Sequence, residues 1–294
     1  MNVDLTDAVA AALGSAVTGV AALGGGDNAR SYRVTLADGR TVFAKTQHDA
    51  PPGFFTTEAA GLGWLRDATG SAVSVPEVLA VSDGDTAVGQ ANHLVLAWID
   101  EGGSGRDATE AEFGLGLAAI HRAGAPSFGR EDGATTGSLG LPNGPCTTWA
   151  EFYAERRLAP LARIAREREA LAPAVIAGLE RVAGRLDALG GPTEPPARLH
   201  GDLWAGNRLV DRGGHNWLID PAAHGGHREF DLAMMRLFGG FGAACFASYD
   251  DAFPLADGWR ERVALHQIAP LVVHAIKFGG SYPPAAADAV AIYA

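Results

Sequence analysis

Cysteine is nearly absent. Cys146 and Cys245 are the only two in 294 residues. A disulfide framework is thereby excluded, because a small stapled fold needs several bridges. The simplest reading is two ordinary thiols in a reducing compartment. An excess of basic charge is also missing. Lys and Arg total 23 against 34 Asp and Glu, for a net charge of −11. General nucleic-acid binding needs cations that displace counterions from phosphates, so a nucleic-acid partner is not expected. The acidic balance suits a cationic substrate, although solubility alone would also account for it. Long apolar runs are absent too: none approaches the roughly 20 residues of a membrane span. The first residues, "MNVDLTDAVAAALGSAVTGV", have an acid where a signal peptide carries basic charge. A cytoplasmic protein with no membrane partner is the expectation. The oligomeric state is left open.

What is present is enough apolar content, 47%, for a sizeable core. The length suits one large domain or two modest ones. After an Ala-rich helix, "LGGGDNARSYRVTLADGRTVFAKTQ" reads as glycine loop, strand, turn, strand. "SYRVTL" and "TVFAKT" alternate as half-buried strands do, and Asp38-Gly39 between them is a hairpin signal. "TTEAAGLGWLRDA" reads as a helix with Thr56 or Thr57 as N-cap. "SVPEVLAVSD" and "HLVLAWID" are strand-like, the first limited by Pro76. After the break "EGGSGRDA" the pattern turns helical. Phe113, Leu117 and Ile120 recur at helical spacing and lead to His121. Val175, Leu179, Val182, Leu186 and Leu189 share one face. "GPTEPPA" reads as a surface linker. Residues 199–235 read as strand, loop, hairpin, then a helix from about Phe230. "WRERVALHQIAPLVVHAIKFGG" predicts a last helix with a kink or break near Pro270. The expected organisation is α+β and bilobal: a small sheet-rich lobe over 1–98, then a larger helical lobe over 99–294.

The stretch "LHGDLWAGNRLVDRGGHNWLIDPAAHGGHREFDLAMM" concentrates the polar residues. His200, Asp202, His224 and His227 are types that bind zinc or iron, but they lack ligand spacing on a helix and any Cys or His-Glu-x-x-His partner. Phosphoryl transfer fits better. It needs a carboxylate to orient a hydroxyl and take its proton, oxygen ligands for magnesium, and a cation on the nucleotide phosphates. Asp202 and Asn207 are five apart, as a kinase base and its metal-binding asparagine are. Asp220, after a short hairpin, stands where a second magnesium carboxylate would. Lys45 on the second hairpin strand fits the phosphate lysine, and Glu58 at the start of the next helix fits its partner. Gly24, Gly25 and Gly26 precede the first strand, where backbone approaches phosphate. Each element alone has a plain alternative: a solvated lysine, a loop, a turn, a surface glutamate. Their order together points to an ATP-dependent kinase. A non-catalytic nucleotide-binding protein would be expected to lose at least one of Lys45, Asp202, Asn207 and Asp220.

"LHGDLWAGN", "IDPA", "GHREFDLAMMRLFGGF" and "WAEFYAERRL" together resemble the fructosamine kinase, or ketosamine-3-kinase, family. The resemblance extends over nearly the whole chain, through the glycine-loop hairpin, "FFTTEAAGLGWL", "GLGLAAIHR" and "KFGGSY". Asp-x4-Asn alone would indicate only the wider aminoglycoside-kinase-like group. The resemblance implies a protein-kinase-like fold, ATP and Mg2+, and phosphorylation of the sugar 3-hydroxyl of ketoamines. These would be small glycated amines or glycated lysine on proteins, and the unstable 3-phosphate would lead to deglycation. A kinase of another small hydroxyl compound (an aminoglycoside, amino alcohol or sugar) is the alternative. By position, Asp202 would be the general base, Asn207 and Asp220 the magnesium ligands, and Lys45 and Glu58 the phosphate-binding ion pair. Ala97 and Trp98 fall where a hinge would meet adenine. Trp204 is the candidate sugar contact, with packing under the loop as its alternative. His200 and Asp231 would organise the site. Arg228 and Glu229 would form a structural ion pair or reach substrate. The sequence departs from the family in three places. His224 and Gly225 replace two aromatics, which makes His224 a candidate substrate residue. Gln47 replaces an asparagine, and a glycine-loop cysteine found in some relatives is missing.

Overall fold

The computed structural model describes residues 3–24, 29–47, 50–84, 91–103 and 107–294. Helix α1 (Val3–Leu13) leads into β1 (Val17–Leu23), β2 (Arg30–Leu36) and β3 (Thr41–Thr46). Helix α2 (Phe54–Arg66), β4 (Val73–Ser74), β5 (Val78–Ser82) and β6 (His93–Ala97) follow. Five strands form an antiparallel sheet in the order β1-β2-β3-β6-β5. Alternation decides its faces. Tyr32, Val34, Leu36, Val42 and Ala44 turn to one side and pack with Leu5 and Val9 of α1. The hairpin closes where expected: the Leu36 N–H donates to Arg40 O at 2.9 Å.

Helix α2 corrects the expected cap. It starts at Phe54, and neither Thr56 nor Thr57 is its N-cap. Asp83, at the end of β5, supplies the acceptor instead. Its Oδ1 takes the Phe55 and Thr56 N–H groups at 2.9 and 3.3 Å, and its Oδ2 takes the Thr56 hydroxyl at 2.5 Å. A capping carboxylate needs only to reach the open N–H groups, so it need not be local in sequence.

The second part is mostly helical. Helix α3 (Asp107–Arg122) packs along the later α9, and a strap of loop spans 129–143. Helix α4 (Trp149–Phe152), a π-helical turn (Tyr153–Leu158), α5 (Ala159–Glu167), α6 (Pro173–Ala183) and α7 (Leu186–Leu189) follow. The predicted 172–190 helix is thus two helices. Strands β7 (Ala197–Leu199), β8 (Arg208–Val210), β9 (Asn216–Leu218) and β10 (His224–Gly226) form two small sheets around the polar stretch, β7 with β10 and β4-β9-β8. Helices α8 (Glu229–Phe238), α9 (Ala243–Ala252), α10 (Val263–Phe278) and α11 (Tyr282–Ala291) complete the chain.

Helix α10 runs on through Pro270 rather than breaking. Proline cannot donate to the carbonyl four residues back, which is that of His266. The buried Tyr153 hydroxyl donates there instead, at 3.2 Å, and to Leu265 O at 2.9 Å. One side chain from the π-helical turn thus supplies the bond that proline removes.

The cores explain how the parts are held. One cluster lies wholly in the helical part. Another joins Phe55, Leu62, Leu65, Leu94 and Leu96 to Phe113, Leu117, Leu203, Leu218 and Leu232. The sheet-rich and helical parts therefore share apolar packing directly behind the polar stretch. Among the described residues no helix is long and apolar enough to cross a membrane.

Candidate active site

The polar stretch is shaped by one buried carboxylate. Asp231, on the first turn of α8, accepts the His200 N–H at 2.7 Å and the Gly201 N–H at 2.9 Å. His121, at the end of α3, adds Nε2 at 3.2 Å, and its Nδ1 lies 2.8 Å from the Tyr249 hydroxyl. Burial alone would raise the Asp231 pKa, but these partners hold it below its usual range. Gly201 sits at φ 82°, and a Cβ there would lie 2.2 Å from Ala222 O. Only glycine lets the 199–202 backbone pass so close to the 220–223 segment.

His200 then orients the next residue. Its Nε2 lies 2.9 Å from Ile219 O, so that nitrogen carries the proton. Nδ1 is left to accept the Asp202 N–H at 3.3 Å. Burial lowers the His200 pKa and keeps the ring neutral in that tautomer. Asn207, in a 3-10 turn (Ala205–Asn207), donates Nδ2 to Asp202 O at 2.8 Å and Oδ2 at 3.2 Å. Its nitrogen is spent on Asp202, which leaves its oxygen as the ligating end. Burial, followed by the charge of Asp220, pushes the Asp202 carboxyl up to about 7.

Asp220 follows β9 at φ 51°, a left-handed conformation that aspartate tolerates better than most residues. Its Oδ1 lies 2.7 Å from Lys45 Nζ, and Glu58 Oε1 lies 2.6 Å from the same ammonium. Lys45 is buried on β3, and Glu58 stands in the second turn of α2. Burial opposes the ammonium, but the two carboxylates outweigh it and raise its pKa. Asp220 is held low despite burial, while burial pushes Glu58 up to about 7 against the pull of Lys45.

These groups open on one cleft of about 190 Å³. Ser31 and Lys45 line it from the sheet, Glu58 from α2, and Asp202 and Asp220 from below. The strap contributes Thr135–Ser138 and Asn143. The strap's base is a backbone bridge: the Gly129 N–H donates to Gly225 O at 2.7 Å, and the Gly225 N–H donates to Gly129 O at 2.9 Å. A Cβ at Gly225 would lie 1.9 Å from Ser127 O. No aromatic residue fits at 225 on this backbone.

The other expected residues are placed as follows. Gly24 is exposed just beyond β1, and Gly25 and Gly26 lie outside the described residues. Ala97 ends β6, but its N–H is already given to Glu77 O at 2.9 Å. Adenine therefore cannot use that donor while the bond holds. Trp98 is covered by the Arg33 guanidinium at 5.1 Å. Trp204 is 41% exposed beside Asp202, edge-on to Phe238. His224 does not face the cleft. It is 2% exposed and stacks on Phe152, and its Nδ1 donates to Ala222 O at 2.8 Å. Its contribution is to hold the cleft wall from behind.

Arg228 and Glu229 are ion-paired, but not to each other. Arg228 forks onto Glu194 at 2.7 Å twice, so the expected linker is anchored. Glu229 takes Arg262 at 2.8 and 2.5 Å. Among the described residues, one set of potential metal ligands converges: His227, Glu229 and His266. Both Glu229 oxygens already hold a guanidinium, so a cation is in place there. His200 and His224 are committed to the carbonyls of Ile219 and Ala222. Sequence reasoning missed His121, Asn143 and the strap; helical spacing ends on His121 without indicating its partner.

The arrangement can hold a phosphate against Lys45, offer Asn207 and Asp220 oxygens to a hard cation, and present a carboxylate to a hydroxyl. A fructosamine kinase family profile matches residues 1–293. The chain is 34% identical over 263 residues to "Probable ketoamine kinase" of Enterococcus faecium, covering 88% of this chain and 89% of that one. It is 30% identical over 280 residues to "Protein-ribulosamine 3-kinase, chloroplastic" of Arabidopsis thaliana, covering 94% and 83%. A crystal structure from Thermobifida fusca, named as a candidate fructosamine-3-kinase, superposes with a TM-score of 0.87 at 43% identity over 98% of both chains. The aminoglycoside phosphotransferase APH(4)-Ia, solved with ADP and hygromycin B, shares the fold at a TM-score of 0.61 and 16% identity, over 99% of both chains.

Proposed function

This chain belongs to the fructosamine kinase family, and on that premise we propose that it transfers the γ-phosphoryl group of ATP to the sugar 3-hydroxyl of ketoamines. The carrying observation is that Lys45, Asp202 and Asp220 line one cleft, with Asn207 hydrogen-bonded to Asp202. Asp202 receives the hydroxyl proton as the acceptor oxygen bonds to phosphorus and ADP departs. Its elevated pKa, set by burial and by Asp220, suits a base that must hold that proton. Lys45, fixed by Glu58, grips the nucleotide phosphates. Asn207 Oδ1 and the Asp220 carboxylate would hold Mg2+, whose charge would offset that of the phosphoryl oxygens. Small glycated amines and the glycated lysine side chain are the proposed acceptors. Loss of the sugar from the unstable 3-phosphate would make the outcome deglycation.

The test is incubation with Mg-ATP and a panel of fructosyl-lysine, ribulosyl-lysine, an aminoglycoside and choline, followed by phosphorus NMR. Formation of the ketoamine 3-phosphate is expected. Turnover of the aminoglycoside or choline with none of the ketoamines would overturn the reading.

A further inference from the structure

The motif "WAEFYAERRL" has no part in the chemistry above, yet its penultimate residue is a buried arginine. Arg157 comes from the π-helical turn and is 4% exposed. Its hydrogen bonds go to Pro142 O at 2.8 Å, Arg156 O at 3.0 Å and Asn143 Oδ1 at 2.6 Å. None of these acceptors is a carboxylate. The guanidinium stacks on Phe152, with Cζ 4.5 Å from the ring centre.

A buried arginine placed this way fixes the end of the strap. Asn143 is 1% exposed and lines the cleft. Its backbone oxygen accepts the Arg130 N–H at 2.7 Å. The side-chain amide has only one permissible orientation. Guanidinium nitrogens only donate, so the atom facing Arg157 is the amide oxygen. The NH2 group therefore points away from Arg157, and it has no hydrogen-bond partner among the described residues. A buried donor left unmet is costly, and such groups commonly await a ligand.

From this geometry we infer that Asn143 is a specificity-determining residue whose Nδ2 donates to a sugar oxygen of the acceptor, with Arg157 as its positioning residue. An NH2 donor requires a lone pair. It selects a hydroxyl, ring or carbonyl oxygen and cannot recognise the protonated amine. Asn143 thus reads the polyol end of the acceptor next to the hydroxyl presented to Asp202. This rests on the ketoamine reading only for the identity of that polyol.

Asn143→Asp is the informative variant. It replaces the donor with an acceptor of equal size and gives Arg157 a carboxylate, so the strap stays anchored. Wild type and variant are compared on whichever acceptor of the panel the wild type phosphorylates. The acceptor KM is expected to rise about tenfold or more, as loss of one directed hydrogen bond implies, while the ATP KM stays within about twofold. The thermal midpoint should not fall. Removing acceptor hydroxyls one at a time should reveal one deoxy compound on which the two proteins converge. Acceptor KM within about twofold of wild type, or an equal rise in the ATP KM, would overturn the assignment. Failure of the ketoamine reading is recognised separately, by which panel member the wild type turns over.

Discussion

The two walls of the cleft are built from different materials. The wall assigned to the nucleotide is regular and charged: Lys45 on a strand, Glu58 on a helix, and Asp220 closing an ion triad at 2.6 and 2.7 Å. The wall assigned to the acceptor is a loop with neutral hydrogen-bonding groups, Thr135, Thr136, Ser138 and Asn143. It is tied down by backbone bonds to Gly225 and by one buried arginine. Phosphates call for charge, and a polyol calls for directed neutral donors and acceptors. Asp202 stands where the walls meet, and a substitution on one wall should be felt by one substrate.

The sharpest break of that division is at Asp202 itself. Asp202→Asn keeps size and polarity but cannot take a proton. Turnover should fall by about a thousandfold, the scale of a general base, while ATP affinity changes little. Paired rate and nucleotide-binding measurements check this. Full activity in the variant would remove Asp202 from the base role.

This division also governs what the sequence made readable. Asp202 and Asn207 act within one short loop, so their spacing carries their relation. Lys45 is one of only two lysines in the chain and sits in an alternating strand. Regular elements transmit position through period, and the phosphate wall inherits that. The strap has no period. Asn143 sits in "GLPNGP", and its meaning depends on Arg157, on a different element. Arg228 and Glu229 do form structural ion pairs, but their partners were hidden for a related reason. Neighbours in sequence at a helix start point in different directions, and each found a remote partner, Glu194 and Arg262. Pro270 read as a kink or break because its remedy, Tyr153, lies more than a hundred residues away.

A smaller and more selective effect is expected at Gly225. A methyl group there meets Ser127 O at 1.9 Å, so Gly225→Ala must push the strap's base away from β10. Overpacking against backbone should cost about 2 kcal/mol and lower the thermal midpoint by about 5 °C. The acceptor KM should rise with it, because Asn143 moves with the strap, while the ATP KM should hold. Equal losses for both substrates would mean that the walls are not mechanically separate.

The smallest effect tests the residue that exchanged a cleft role for a buried one. Burial, then the positive charge of Arg157, pushes the His224 pKa down to about 3; Arg130 adds to this and Asp231 opposes it. The unfolded chain binds the proton near pH 6.5 and the folded chain does not. Stability is therefore full above about 6.5 and is lost as the pH falls toward 3. His227, pushed down to about 4 mainly by burial, adds a similar slope. His224→Phe keeps the ring stacked on Phe152 and removes a nitrogen, Nε2, that has no partner among the described residues. It also gives up the bond to Ala222 O, so the two proteins should differ little near neutral pH. At about pH 5 the variant should have gained on the wild type by about 2 kcal/mol relative to that baseline, seen as a flatter fall of the thermal midpoint with acid. The slope should shrink without vanishing, because His227 remains, and the acceptor KM should not move. Identical slopes would mean that the His224 ring takes up its proton in the folded protein, and a raised acceptor KM would return it to the cleft.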